Sequence, residues 1–224
     1  MWRLTKDTYD PSKQMVEESL FTIGNGYVGL RGCFEEGYPE GDSIRGTYIN
    51  GLYDRVPMIH AEMAYGFPTI QDKQPRIADT QTCQVYLDGE RAQLKFRKYH
   101  NYYRWLDYQQ GESERGYSYK TNSGKVAKLR FNRMASLKHL NYVIYRIEVE
   151  YEGIIELKTV LDGDVENYTA PGDPRVAQGH TKLMVPVSME PLGEYVHCVL
   201  RTKTTGIDQA TVIRHFVESD HEYH

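Results

Sequence analysis

The chain has 224 residues and a formal net charge of -4, and its 19 tyrosines outnumber 6 phenylalanines and 2 tryptophans. It contains no long run of Lys or Arg, which argues against nucleic acid and anionic membranes as partners. No apolar stretch approaches the roughly 18 residues of a membrane-spanning helix, and the first residues lack the apolar segment of a signal peptide. We therefore expect a cytoplasmic protein with no membrane partner.

The N-terminal residues predict an edge strand followed by a connector. Trp2 and Leu4 belong to the strand, and Asp10-Pro11-Ser12 forms a turn that begins a short helical turn through Met15 and Val16.

A glycine-rich stretch runs from Glu18 to Asp54, with glycines at positions 24, 26, 29, 32, 37, 41, 46 and 51. Each glycine inside a helix costs about 1 kcal/mol relative to alanine, so the stretch predicts short extended pieces joined by turns. Residues 24–29 match G-x-G-x-x-G, the dinucleotide-binding pattern, but that site needs a helix immediately afterwards. Glycines and Pro39 interrupt the following residues, so we interpret the motif as β turns.

Residues 55–80 carry three prolines and predict a long irregular segment. Within it, His60, Glu62, Tyr65 and Phe67 combine aromatic faces with polar tips, the chemistry of a sugar site. We predict that they form a loop at a substrate entrance. The alternative is a loop that packs against another domain, because domain interfaces also favour aromatic residues.

Two hairpins are the clearest local predictions. In the first, apolar residues alternate up to Leu87, Asp88-Gly89 forms a two-residue turn, and the return strand carries Ala92, Leu94 and Phe96. In the second, strands 117–121 and 125–131 flank a three-residue loop.

The remaining segments continue the β pattern. Residues 99–108 hold five aromatics, which we assign to the core. Residues 142–151 alternate apolar and polar, and Glu152-Gly153 predicts a hairpin turn into 154–161. An irregular segment, 162–181, precedes three strand-like stretches at 183–189, 195–201 and 209–217. Strands at this spacing without a long amphipathic helix predict an all-β fold, a large antiparallel β-sandwich with few short helices.

Glu35-Glu36 is the most suggestive carboxylate pair, because glycoside hydrolysis commonly uses two carboxylates that face each other across the scissile bond. Adjacent residues on a strand point to opposite sides, so this pair fails that requirement. We expect both to be solvated or paired with Arg31 or Arg45.

No metal centre is predicted. Asp162, Asp164, Glu166 and Asp173 imitate the spacing of a calcium loop, but Asn167 replaces the glycine that the sharp turn requires. The histidines form no zinc motif, and the three cysteines are widely spaced among apolar neighbours, which predicts free buried thiols.

The string ESLFTIGNGYVGLRGCFEEGY, followed by RGTYINGLYD, resembles the opening of the N-terminal domain of glycoside hydrolase family 65, the maltose, kojibiose and trehalose phosphorylases. Further matches follow in family order at Tyr65 to Pro68, at Trp105 to Asp107 before Arg115, and at Leu161 to Asn167. Together they cover about the whole chain. The resemblance implies an N-terminal β-sandwich, supersandwich-like, spanning residues 1–224 as a single domain.

The resemblance also implies the activity of a larger enzyme. In that family one Glu protonates the glycosidic oxygen of an α-glucobiose while inorganic phosphate attacks the anomeric carbon, which gives β-glucose 1-phosphate. In the family, the general-acid Glu and the pocket that binds phosphate lie in an (α/α)6 barrel that follows this domain. Residues 1–224 contain no such barrel. We therefore expect a fragment without catalytic residues or cofactor, which supports the barrel, the active-site entrance and a homodimer.

Two alternatives from other classes remain open, because sandwich folds carry many unrelated functions. One is a stand-alone carbohydrate-binding module, and the other is an interaction domain that binds no sugar. The identity of the disaccharide is also open.

Overall fold

A computed structural model describes residues 2–58, 64–95, 97–169 and 181–222. Sixteen strands lie in these ranges, with one short 3-10 helix, Pro11–Lys13, and one short α-helix, α1 (Gln14–Leu20). The strands are β1 (Arg3–Lys6), β2 (Ile23–Gly24), β3 (Val28–Leu30), β4 (Thr47–Ile49), β5 (Asp54–Pro57), β6 (Ile70–Lys73), β7 (Asp79–Leu87), β8 (Glu90–Arg91), β9 (Tyr99–Asp107), β10 (Glu112–Lys120), β11 (Val126–Ala135), β12 (Val143–Glu150), β13 (Ile155–Asp162), β14 (Met184–Leu192), β15 (Tyr195–Thr202) and β16 (Asp208–Arg214). The prediction of an all-β fold with few short helices is confirmed.

The chain divides into two compact units. The first unit comprises Met1–Leu52 and Gln81–Val160, and the second comprises Tyr53–Thr80 and Leu161–His224. The assignment of residues 1–224 to a single domain stays a prediction.

The N-terminal elements follow the sequence prediction. Asp10 accepts a hydrogen bond from the backbone N–H of Ser12 at 3.0 Å, which caps the 3-10 turn that Pro11 begins. The helical segment then continues to Leu20, four residues beyond the predicted end at Val16. Within the described ranges, neither helix has the length and apolar character needed to cross a bilayer.

The main sheet of the first unit has the strand order β1-β9-β10-β11-β12, all antiparallel. Alternate residues of β10 and β11 point inward and form a core with β7 and the segment after β8. The core contains many aromatic rings, including Phe34, Tyr102, Tyr117, Tyr119 and Phe131. Of the predicted aromatic band, Tyr102 is therefore a core residue, whereas Tyr108 is exposed.

Both predicted hairpins are present. Leu87 pairs with Glu90 across the two-residue turn Asp88-Gly89, whose positive φ angles of 49° and 81° suit the strand twist. The return strand β8 ends at Arg91, so Ala92 and Leu94, which the prediction placed in that strand, are buried just beyond it. Phe96 lies outside the described residues. In the second hairpin, the Thr121 N–H donates to the Lys125 carbonyl at 2.9 Å and closes the predicted three-residue loop.

The predicted hairpin between residues 142–151 and 154–161 is wrong. β12 pairs with β11, whereas β13 joins β7 and β8 in another sheet. Asp88 redirects the chain between them: its carboxylate accepts the Tyr151 hydroxyl at 2.7 Å and the Ile154 N–H at 2.8 Å. The Asp88 N–H also donates to the Ile154 carbonyl at 2.9 Å. The segment at Glu152-Gly153 therefore carries the chain from one sheet to the next.

The glycine-rich stretch forms short strands, as predicted, after its first residues complete α1. β2, β3 and β4 make a small antiparallel sheet, and no helix follows residues 24–29. Asn25 holds this turn: its side-chain amide donates to the carbonyls of Ser136 and Leu140 at 2.7 and 2.8 Å, and its side-chain oxygen accepts from Tyr27 and Val28. The dinucleotide motif is thus a structural turn.

The second unit contains the sheet β14-β15-β16 and the hairpin β5-β6. The three C-terminal strands agree with the prediction. The prediction that residues 55–80 are irregular throughout is wrong, because β5 and β6 pair from Asp54↔Lys73 to Pro57↔Ile70. Val56 is the one strongly apolar side chain that β5 buries, and this short pattern gives a weak periodic signal.

Candidate functional site

The β5-β6 hairpin carries Tyr65 and Phe67, two of the four predicted entrance residues. The loop closes with a hydrogen bond from the Met58 N–H to the Thr69 carbonyl at 2.9 Å. Gly66 turns the chain with φ +85°, and the tip places Tyr65 fully in solvent and Phe67 at 46% exposure. His60 and Glu62 lie outside the described residues. The hairpin therefore projects aromatic surface of the kind that stacks on a sugar ring or packs against another domain.

The base of the hairpin is held by Asp54, which is only 1% exposed. Its carboxylate accepts from the N–H of Thr204 at 3.0 Å and from the N–H of Thr205 at 2.9 Å, and the Thr205 hydroxyl lies 3.2 Å from it. The exposed loop is thus attached through a buried, charge-assisted contact to the turn between β15 and β16.

A groove of about 390 Å³ runs beside the hairpin and is lined by residues of β5, of the segment before β14 and of the β15-β16 turn. Three cationic side chains, Arg55, Lys182 and Lys203, contribute to it. Arg55 is 3.6 Å from Asp72, and Lys182 forms an ion pair with Asp164. The groove is open to solvent, and its lining combines apolar residues such as Val56 and Leu183 with these cationic side chains at the base of the hairpin.

The Glu35-Glu36 pair does not form an accessible carboxylate site. Both residues are buried, at 3% and 0% exposure. Glu36 accepts from Arg115 Nη1 at 2.7 Å, from Arg115 Nη2 at 2.5 Å and from the Tyr117 hydroxyl at 2.9 Å. Glu35 accepts from Arg115 Nη2 at 2.9 Å and forms an ion pair with Arg133.

The expectation that Glu35 and Glu36 are solvated or paired with Arg31 or Arg45 is wrong in its first part, and the ion-pair partners are Arg115 and Arg133. Burial alone would raise the pKa of Glu35, but the charges of Arg133 and Arg115 outweigh it and lower that pKa to about 2. The carboxylate is therefore ionised and hydrogen-bonded, and it has no exposed surface that a glycosidic oxygen could reach.

Sequence reasoning missed several buried charged residues, among them Asp54, Arg115 and Arg133. A signal for the two arginines was present. Arg115 shares the inward-facing side of β10 with Tyr117, and Arg133 shares that of β11 with Phe131, where the alternation otherwise places apolar residues. A charge at a core position requires a buried counter-charge, and Glu35-Glu36 was the available pair.

The acidic segment after β13 is used in local contacts. Asp162 accepts the Asp164 N–H at 2.8 Å, Glu166 accepts the Thr181 hydroxyl at 3.1 Å, and Asp173 lies outside the described residues. Over residues 2–58, 64–95, 97–169 and 181–222, no group of three His, Cys, Asp or Glu side chains is placed to hold a metal ion. All three cysteines are free and buried, as predicted.

The fold and the sequence together define a glycosyl hydrolase domain, because a model of the N-terminal domain of glycosyl hydrolase family 65 matches residues 4–223. The chain belongs to glycosyl hydrolase family 65 and is an N-terminal domain of that family.

Two relatives that are named as phosphorylases are similar to this chain over most of its length. The chain is 36% identical over 212 residues to an alpha,alpha-trehalose phosphorylase of Geobacillus stearothermophilus. The matched region covers 92% of this chain and 28% of that protein. It is 32% identical over 182 residues to a kojibiose phosphorylase of Halothermothrix orenii. That match covers 78% of this chain and 22% of the relative. The chain therefore spans less than a third of the length of these relatives.

A solved structure shares the fold. A human-microbiome protein, provisionally named a kojibiose phosphorylase, superimposes with a TM-score of 0.80 over 98% of this chain and 28% of its own, at 24% identity.

Proposed function

We propose that this chain is the N-terminal domain of an inverting α-glucoside phosphorylase, a cytoplasmic homodimer that cleaves a disaccharide with phosphate to β-glucose 1-phosphate and glucose. The observation that carries the proposal is the family match over residues 4–223, together with phosphorylase relatives more than three times as long. The disaccharide belongs to the α-linked glucobioses that the relatives' names specify.

The chemistry requires one protonated carboxyl to act as general acid and a cationic pocket for phosphate, in place of a second carboxylate that activates water. In the described part of this chain, the conspicuous carboxylate pair is buried and neutralised by Arg115 and Arg133. We therefore place the acid and the phosphate pocket in the remainder of the longer polypeptide, and we assign no catalytic residue and no cofactor to residues 1–224.

The domain contributes a structural surface and the β5-β6 hairpin. Tyr65 and Phe67 at the hairpin tip supply apolar ring surface, and His60 and Glu62 belong to the same loop. We place this loop at the entrance of the active site, where it shapes the pocket for the disaccharide and limits access of water.

The test compares the full-length protein with residues 1–224 alone, each incubated with trehalose, kojibiose or maltose and inorganic phosphate. NMR identifies the anomer of glucose 1-phosphate that forms. We expect turnover to the β anomer by the full-length protein and none by the isolated chain. Turnover by the isolated chain, or phosphate-independent hydrolysis by the full-length protein, would contradict the proposal.

The entrance role is tested in the full-length protein with a double variant, Tyr65→Ala/Phe67→Ala. We expect kcat/KM for the disaccharide to fall about tenfold, which corresponds to about 1.4 kcal/mol of transition-state stabilisation. Tyr108→Ala is the matched control, because Tyr108 is an exposed aromatic residue of the first unit, at 59% exposure. Equal activities of both variants and the wild type would refute the entrance role.

The exposed aromatic tip also suits a second candidate, a stand-alone carbohydrate-binding module. Titration calorimetry of residues 1–224 with maltose and kojibiose distinguishes the two. Binding between micromolar and millimolar, abolished in the Tyr65→Ala/Phe67→Ala variant, would favour the binding module. Absence of binding favours the domain whose sugar contacts exist only in the assembled enzyme.

A further inference from the structure

We propose that Asp54 is a positioning residue: by binding the β15-β16 turn, it sets where the tip of the β5-β6 hairpin lies and so controls productive binding of the disaccharide. This inference rests on the proposed function, because it assumes that the hairpin tip reaches the active site. It adds a residue that lies at the opposite end of the hairpin from Tyr65 and Phe67.

The contact is built from several hydrogen bonds on one buried carboxylate. Oδ1 accepts the N–H of Thr204 at 3.0 Å and the N–H of Thr205 at 2.9 Å, and Oδ2 is 3.3 Å from the Thr204 nitrogen. The Thr205 hydroxyl lies 3.1 Å from the Tyr53 carbonyl and 3.2 Å from Oδ1. These contacts tie both residues that begin the hairpin to one turn.

The turn that receives Asp54 is itself well ordered by local bonds. The Ile207 N–H donates to the Thr202 hydroxyl at 2.7 Å, and the Thr202 N–H donates to the Ile207 carbonyl at 3.0 Å. The Thr202 and Thr205 hydroxyl oxygens are 2.7 Å apart. Gly206 supplies the positive φ of 70° that closes the turn. Asp54 thus binds a fixed point of the β14-β15-β16 sheet.

Asn167 also binds the chain just after β6: its side-chain amide donates to the Gln74 carbonyl at 2.9 Å, and its side-chain oxygen accepts the Arg76 N–H at 2.9 Å. The outer face of the hairpin carries Arg55 and Asp72, an exposed pair at 3.6 Å, which contributes little stability. Its inner face buries Val56 next to the Asp54 anchor. Contacts of Asp54 and Asn167 at the base therefore hold both strands of the hairpin. A shift of the base moves the tip with it, and a displacement of about 1 Å of a substrate-positioning group can cost about 100-fold in rate.

The test uses the full-length protein with three single variants. Asp54→Ala removes every acceptor, and we expect kcat/KM to fall about tenfold, mainly through a higher KM. Asp54→Asn keeps an acceptor at Oδ1, which makes all of the shortest contacts, and we expect it to recover most of the activity. Asp72→Ala is the matched control, because it removes an exposed carboxylate from the same hairpin, and we expect activity within twofold of wild type.

A double-mutant cycle separates positioning from general destabilisation. If Asp54 acts through the tip, Asp54→Ala added to the Tyr65→Ala/Phe67→Ala variant lowers kcat/KM by less than twofold further. A merely structural role would lower activity by the same factor in both backgrounds, and that result would overturn the inference. Wild-type KM in the Asp54→Ala variant, with the tip variant impaired, would also overturn it and leave the entrance role intact. An unimpaired tip variant would instead refute the entrance role itself.

Discussion

Replacing Glu36 by glutamine tests whether the buried ion network holds the first unit together. Glu36 is fully buried and accepts three hydrogen bonds, two from Arg115 and one from Tyr117. Glutamine keeps the shape and one acceptor oxygen but places an NH2 group against the guanidinium and removes the charge that compensates it. Arg115 retains its bond to Glu35 at 2.9 Å.

The expected loss follows from the burial of the charge. Removing one partner of a buried ion pair costs about 3–5 kcal/mol, because the remaining charge is left uncompensated. Since glutamine preserves one acceptor and Glu35 remains, we expect the lower end, about 3 kcal/mol. For a chain of this size that loss lowers Tm by about 6–12 °C.

The measurement is urea unfolding of residues 1–224, followed by circular dichroism, with the m value compared to confirm that only stability changes. Glu150→Gln is the matched control. Glu150 also forms a cross-strand ion pair, with Lys128 at 2.8 Å, but the glutamate and lysine side chains are 62% and 70% exposed, so we expect a loss below about 1 kcal/mol. Equal losses for Glu36→Gln and Glu150→Gln would refute the reasoning.

Three further predictions concern the first unit. The pKa of Glu35 lies at about 2, below its ordinary value of 4.5. The ionised carboxylate therefore stabilises the fold fully above about pH 4.5, and this stabilisation is lost as the pH falls towards 2. The difference in unfolding free energy between wild type and Glu35→Gln should shrink between pH 4.5 and pH 2. Gly32→Ala should lower the free energy of unfolding by more than about 2 kcal/mol, because the added Cβ would lie 2.6 Å from the Phe21 carbonyl oxygen. Gly29→Ala is the control and should be tolerated, because no heavy atom lies within 4 Å of its added Cβ. Thermal unfolding of the two variants compares their stabilities. Burial raises the pKa of Cys83 to about 12, so its thiol should resist a thiol reagent at neutral pH in the folded chain and react after unfolding.

Local signals in the sequence predicted much of the fold. Strict alternation and the Asp88-Gly89 turn located the β7-β8 hairpin, because both depend on neighbouring residues. The predicted hairpin between β12 and β13 was wrong because the path of the chain there depends on a residue far away in the sequence. Glu152-Gly153 has the composition of a hairpin turn, and only the distant carboxylate of Asp88, through Tyr151 and Ile154, directs the chain into a different sheet.

The candidate site was predicted less well than the fold. Tyr65 and Phe67 were chosen because aromatic faces with polar tips suit a sugar site, and the structure exposes both side chains. Their role at the substrate entrance stays a prediction. Asp54 was not found, because its partners are backbone N–H groups about 150 residues away, and backbone groups leave no mark in a sequence. The ion-pair partners of Glu35 and Glu36 were not found for the same reason. Arg115 lies 79 residues from Glu36 along the chain, and Arg133 lies 98 residues from Glu35.

The ion network also acts as a register check during assembly of the main sheet. Arg115 and Arg133 face inward only when β10 and β11 pair in the observed register, in which Arg115 lies opposite Phe131. A slip of β10 by one residue would turn Arg115 to solvent and leave Glu36 buried without its guanidinium partner. An apolar core would tolerate such a slip more readily, so the four charges disfavour compact misfolded pairings as well as stabilise the native one.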